Sequence, residues 1–205
     1  QTQDMSDGIG AVPSELRGLI LAGGQSRRLG QDKAALEFGG RSQLERATDL
    51  LGERLDHVHL SVRAGRFRNT VRFDHQLILD LYDNLGPAAG ILSAHRAFPE
   101  VAWVVLACDM PLVDGAIIGA LIEQRDSRKA ATVFANPRDG LPEPLCAIYE
   151  PGTLARFRRL VEEEIETSPR ALLIQSELRE LELPRANALD NVNTPEDLDR
   201  INDLL

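Results

Sequence analysis

The chain predicts an α/β fold: a doubly wound, mostly parallel sheet with helices on both faces. Three observations carry that expectation. Short apolar runs alternate with amphipathic stretches, the order strand, crossover helix, strand recurs, and one run is apolar without a break. In such sheets ligands sit beyond the carboxyl ends of the strands, and the glycine-rich and acidic segments follow those ends.

The elements follow in chain order. Residues 19–22 read as a strand. Residues 42–55 read as a helix, because Ser42 and Glu45 stand at capping-box spacing and Leu44, Ala47, Leu50 and Leu51 share one face. Residues 57–62 and 77–80 are further strands, and 90–98 is a helix candidate. The run 101–107 is continuous enough for a central parallel strand, followed by a helix candidate at 116–125. The second half is less regular. Residues 131–135 and 144–149 read as strands, and 153–161 puts Leu154, Phe157, Leu160 and Val161 on one helical face. The last segment opens a helix with Thr194 as N-cap, Pro195 in its first turn and Asp197 completing a capping box. A mixed sheet is expected in this half, holding a second substrate.

At 205 residues, 43% hydrophobic and 27% charged, the chain suits one domain that buries a core without disulfides or structural metal. The expected division is a flexible tail over 1–17 and a single domain over 18–205. Within that domain the expected halves are about 18–128 and about 129–205, the latter holding the second substrate. A net charge of −9 argues against nucleic acid as a partner and makes the local cluster Arg27, Arg28 and Lys33 informative. Cys108 and Cys146 lie in apolar stretches and read as core residues in a reducing compartment. No apolar run is long enough to span a bilayer, and the first fifteen residues lack the basic start and apolar centre of a signal peptide. The expected address is the cytoplasm, with no membrane partner.

The loop after the first strand combines backbone freedom with charge. Gly23 and Gly24 permit a sharp turn that presents N–H groups, and Arg27, Arg28 and Lys33 add charge-assisted donors suited to a polyphosphate. Its spacing fails the P-loop pattern, and G-x-G-x-x-G is absent. Taken alone, the same residues also describe a glycine turn beside a solvated basic helix start.

Three more segments fall on the same rim. Asp109 follows the central strand, where a carboxylate suits Mg²⁺ held against phosphates; its other reading is a cap for the helix starting at about Asp114. Gly86, Pro87 and Gly90 permit close approach to a flat base, with Asp80 or Asp83 at its polar edge, or they form a turn feeding a helix. Asn191 and Asn193 precede the terminal helix and suit contact with a phosphate or a metal-bound water.

The stretch from Leu19 to Phe38 closely resembles the signature L-A-G-G-x-S-x-R-M-G-x-D-K of the molybdenum cofactor guanylyltransferases, within the nucleotidyltransferase superfamily. Leu21, Ala22, Gly23, Gly24, Ser26, Arg28, Gly30, Asp32 and Lys33 match it, with Leu29 in place of the methionine. The segments around Asp109, Gly86–Gly90 and Asn191–Leu198 resemble three further motifs in the same order. The family's Q-P-L-F-A-L-Y-like strand is here EPLCAIY, with Glu143 replacing an amide. Its arginine segment is SPRALLI, with Arg170 matching the arginine.

The resemblance implies a Rossmann-like, nucleotide-diphospho-sugar transferase-like fold and transfer of GMP from GTP to the terminal phosphate of molybdopterin, releasing pyrophosphate. It implies Lys33, Arg28 and Asp109 as catalytic, with Asp109 holding Mg²⁺. Leu21, Ala22, Gly23, Gly24, Lys33, Asp80, Gly86, Pro87, Gly90 and Asp109 would bind the nucleotide, and Arg170, Asn191 and Asn193 the acceptor. Protein partners would come from molybdopterin synthesis or molybdoenzyme maturation. Rival readings are a cytidylyl- or sugar-1-phosphate nucleotidyltransferase and a non-catalytic GTP-binding adaptor. The related cytidylyltransferases usually read L-A-A-G where this chain has Leu21–Gly24.

Overall fold

The computed structural model describes residues 12–22, 37–38, 41–63, 76–192 and 197. The glycine- and arginine-rich loop at 23–36 therefore lies outside the described residues, as does the segment from Asn193 onward apart from residue 197, which is helical.

Seven strands form one sheet: β1 (Leu16–Leu21), β4 (Val58–Val62), β5 (Gln76–Leu79), β6 (Ala102–Ala107), β7 (Ala131–Ala135), β8 (Pro142–Tyr149) and β9 (Leu178–Leu181). Two short strands, β2 (Glu37–Phe38) and β3 (Arg41–Ser42), pair separately. The sheet order is β5-β4-β1-β6-β8-β7-β9. The first four strands are parallel; β8 runs antiparallel to both β6 and β7, and β9 pairs parallel with β7. The sheet is thus mixed in its second half, as the sequence suggests. β1 starts at Leu16, three residues ahead of the boundary read from the sequence.

Among the described residues, five helices lie between strands: α1 (Gln43–Gly52), α2 (Pro87–Ala97), α3 (Gly115–Glu123), α4 (Pro151–Glu162) and α5 (Pro169–Ile174). The Ser42–Glu45 capping box forms in full at the start of α1. Side chains alternate along each strand, so the two faces of β6 feed two cores. Val104 and Leu106 pack with Leu44, Leu51, Ile117 and Leu121 of α1 and α3. Trp103 and Val105 pack with Ile91, Leu92, Leu154, Phe157 and Leu172 of α2, α4 and α5. Every residue of β6 is buried, as a central strand covered on both faces requires.

α5 and β9 were not anticipated. Six helical residues are too few to display a period, and β9 exposes its two central side chains, Arg179 and Glu180. Only tertiary pairing with β7 makes it a strand.

Candidate active site

The parallel strands end on one rim. There the ends of β1, β4 and β6, the residue after β5 and the start of α2 enclose a pocket lined by Leu21, Ser61, Asp80, Gly86, Pro87, Gly90, Ala107, Cys108, Asp109 and Leu145. Two adjacent parallel strands tie its floor, Cys108 N–H donating to the Leu21 carbonyl at 3.3 Å. Of the residues the resemblance implies for nucleotide, Leu21, Asp80, Gly86, Pro87, Gly90 and Asp109 come together here. Ala22 follows β1 directly and is half-buried, without lining this pocket. Gly23, Gly24, Arg28 and Lys33 lie outside the described residues.

Of the two candidate aspartates, Asp80 lines the pocket and Asp83 is exposed outside it. Asp80 directly follows β5, and its backbone N–H donates to the Val62 carbonyl at 2.8 Å. Its carboxylate accepts a 2.5 Å hydrogen bond from the Ser61 hydroxyl. Sequence reasoning missed Ser61: inside β4 it reads as one more strand residue, and only the pairing of β4 with β5 carries it to the pocket.

Two glycines are required by this geometry. Gly86 caps α2 with φ +55°, a left-handed conformation that side chains disfavour. Gly90 faces β1 and β4 so closely that a methyl there would overlap Ser61 Oγ and come within 2.8 Å of Leu21 Cδ2.

Asp109 stands just beyond β6, and the cap role weighed for it belongs to Asp114. Asp114 accepts hydrogen bonds from the Ala116 and Ile117 amides at 3.0 and 3.1 Å at the start of α3. The intervening loop is held from three sides. Arg46 of α1 donates to the Pro111 carbonyl at 2.6 Å. Arg185 donates to the Leu112 carbonyl at 3.1 Å and to the Asp114 carboxylate at 2.7 Å. Val192 N–H donates to the carbonyl of Asp109 itself at 3.0 Å, bringing Asn191 alongside. Asn193 is outside the described residues.

Among the described residues no group of three or more His, Cys, Asp or Glu gathers as a metal cluster. Mg²⁺ keeps water and substrate phosphates as most of its ligands and takes one or two carboxylates from the protein. Asp109 is a partly exposed carboxylate on the pocket rim, a donor of the kind that suits the ion.

On the opposite side of Asp109 lies β8. Leu106 stands opposite Cys146, so each step on toward Asp109 is matched by a step back toward Glu143. Glu143 is buried; Oε1 accepts from Leu145 N–H at 3.1 Å and Oε2 from Asn136 Nδ2 at 3.3 Å. Arg170 of α5 reaches this group, with Nη2 on Glu143 Oε2 at 3.4 Å and Nη1 on Asp139 Oδ2 at 3.0 Å. The sheet order therefore sets the Ser61–Asp80 pocket on one side of Asp109 and the Arg170 cluster on the other.

Cys146 and Tyr149, also on β8, are fully buried, and burial pushes both groups well above their ordinary values. The Tyr149 hydroxyl donates to the Pro144 carbonyl at 2.9 Å, so both are packing residues. Among the described residues no helix is long and apolar enough to cross a membrane.

The model of the MobA-like NTP transferase domain matches residues 18–180. A protein named probable molybdenum cofactor guanylyltransferase from Opitutus terrae is 36% identical over 200 residues, covering 94% of this chain and 97% of its own. A molybdenum cofactor biosynthesis bifunctional protein from Synechocystis is 32% identical over 187 residues; the match takes in 91% of this chain but 54% of that longer protein. Among solved structures, molybdopterin-guanine dinucleotide biosynthesis protein A from Archaeoglobus fulgidus superposes with a TM-score of 0.75 at 24% identity, covering 92% of this chain and 97% of the other. Rv0371C from Mycobacterium tuberculosis in complex with manganese superposes at 0.66 with 20% identity, covering 94% and 100%.

Proposed function

Because this chain belongs to the MobA-like NTP transferase family, we propose that it transfers GMP from GTP to the terminal phosphate of molybdopterin. An oxygen of that phosphate attacks the α-phosphorus of GTP. The new phosphoanhydride bond forms as the bond to the α–β bridging oxygen breaks, and the electron pair leaves on pyrophosphate. The observation that supports this reading is the division of the rim, with the Ser61–Asp80 pocket on one side of Asp109 and an arginine cluster on the other.

The attacking group needs no protein base, since a phosphate monoester with a second pKa of about 6 is already ionised near neutral pH. The difficulty is electrostatic: two anions must meet and charge must be stabilised on the leaving pyrophosphate. In this reading Asp80, held by Ser61, accepts from the N–H edge of guanine, while Gly86, Pro87 and Gly90 let the backbone approach the base. Lys33, Arg28 and the Gly23–Gly24 amides bind the triphosphate. Asp109 holds Mg²⁺, which when bound neutralises phosphate charge. Arg170, Asn191 and Asn193 orient the acceptor's phosphate.

The test is pyrophosphate release with Mg²⁺ and each of the four nucleoside triphosphates, with and without molybdopterin. Release only with GTP plus molybdopterin is the expected result. Release with CTP instead moves the chain to cytidylyl transfer, and GTP binding without release makes it a binding protein.

A further inference from the structure

Arg170 carries an anion of the protein's own. One guanidinium nitrogen meets Glu143 and another meets Asp139, and the two carboxylates differ in kind. Glu143 is 7% exposed at its side chain and is fixed by two further donors, Leu145 N–H and Asn136 Nδ2. Asp139 is 40% exposed and sits in the turn between β7 and β8, where its other oxygen accepts the Leu141 amide at 3.0 Å. Gly140, with φ +69°, shapes that turn. The carboxylate is thus held facing the arginine by its own loop.

We propose that Asp139 is a tethered stand-in for the acceptor's phosphate. Before the acceptor arrives it occupies the outer face of Arg170. An incoming phosphate displaces it, while Glu143 keeps hold of the guanidinium through its other nitrogen. The inference rests on the reading of Arg170 as an acceptor residue. Its physical basis is competition: an exposed monoanionic carboxylate is a weak partner that a phosphate dianion out-competes, whereas a buried carboxylate with three donors is not exchanged. Asp139 thereby acts on specificity, since an acceptor must carry enough charge at this point to replace it. Breaking the contact needs no rearrangement of the sheet, because only the Oδ2–Nη1 bond is lost.

The experiment is an inorganic phosphate titration of the whole chain, followed by NMR at the Arg170 Nε–H and the Ala171 amide. It is run on wild type, Asp139→Asn, Arg170→Gln and the double variant. Asparagine keeps an oxygen for the Leu141 amide and removes the charge, so the fold is retained. The expected result is phosphate binding at Arg170 that tightens roughly two- to fivefold in Asp139→Asn, the range of exposed ion pairs. The gain should shrink with added salt and vanish when Arg170 is glutamine. In the coupled assay the same variant should lower the molybdopterin KM and leave the GTP KM unchanged. Unchanged or weaker phosphate binding in Asp139→Asn, or a gain that survives Arg170→Gln, overturns the proposal. Wild type that binds phosphate at Arg170 but releases no pyrophosphate with GTP and molybdopterin instead overturns the functional reading, with the phosphate titration still deciding this one.

Discussion

Ser61 and Asp80 lie nineteen positions apart and are joined by a 2.5 Å hydrogen bond where β4 and β5 reach the rim. In the proposed function Ser61 fixes the carboxylate that reads the base, a contribution to binding in ground and transition states alike. Ser61→Ala should therefore raise the GTP KM roughly two- to tenfold, in line with about 1 kcal/mol for one hydrogen bond, and leave kcat nearly unchanged. Steady-state kinetics over a GTP series separates the two. A loss confined to kcat would remove Asp80 from nucleotide recognition.

Gly90 tests how closely α2 must approach the strands. A methyl there collides with Ser61 and Leu21, both in the pocket wall. Gly90→Ala should cost about 1–3 kcal/mol of stability by overpacking and weaken GTP binding at the same time. Urea unfolding measures the first and nucleotide titration the second. Wild-type values in both would mean the helix can shift outward freely.

Much of this was legible from local pattern, and the rest was not for identifiable reasons. Ser42 and Glu45 announced α1 because a capping box is a short-range arrangement of four residues. The continuous run through Val104 and Leu106 announced a strand buried on both faces. Spacing alone does not separate Asp80 from Asp83, but the strand end read at residue 80 favours Asp80, the one that lines the pocket. Asp114 took the cap role weighed for Asp109, a difference of five residues that charge pattern alone does not resolve. Arg46, Arg185 and Val192 escaped notice because their targets are backbone carbonyls 65, 73 and 83 residues away. Backbone acceptors carry no sequence signal.

Two buried histidines give stability a pH dependence. His59 packs edge-on against Phe98 and Trp103, and His95 lies within α2; burial is the main cause holding both below the ordinary imidazole value of 6.5. The folded chain thus keeps them neutral while the unfolded chain takes up protons as pH falls through 6.5. The stability they contribute is complete above that value and is lost progressively below it, until the folded-state values are passed. Asp126, lowered to about 2 by Arg128, stays ionised throughout this window and adds no slope there. Urea midpoints should fall between pH 7 and 5.5, and His59→Phe, among aromatic neighbours, should flatten that fall. An identical pH slope in the variant would sink the assignment.

Asp109→Asn separates metal chemistry from architecture. The loop around residue 109 is held by contacts that do not use its carboxylate: the Val192 amide on its carbonyl, and Arg46 and Arg185 on the carbonyls that follow. Asparagine preserves the volume and leaves those bonds in place, so the variant should still fold cooperatively, checked by thermal unfolding. What changes, in the proposed mechanism, is the charge offered to Mg²⁺ beside the phosphates. Turnover at saturating GTP should drop about 10²–10³-fold, the scale seen when one electrostatic group is removed from a transition state. GTP binding measured without Mg²⁺ should be no weaker than wild type, since the ion is absent and a negative charge beside the triphosphate has been removed. A rate that returns to wild type simply on raising Mg²⁺ would limit the carboxylate to ion affinity. An unchanged rate at ordinary Mg²⁺ would remove it from the mechanism, and the metal would then have to be held by substrate phosphates and residues beyond this rim.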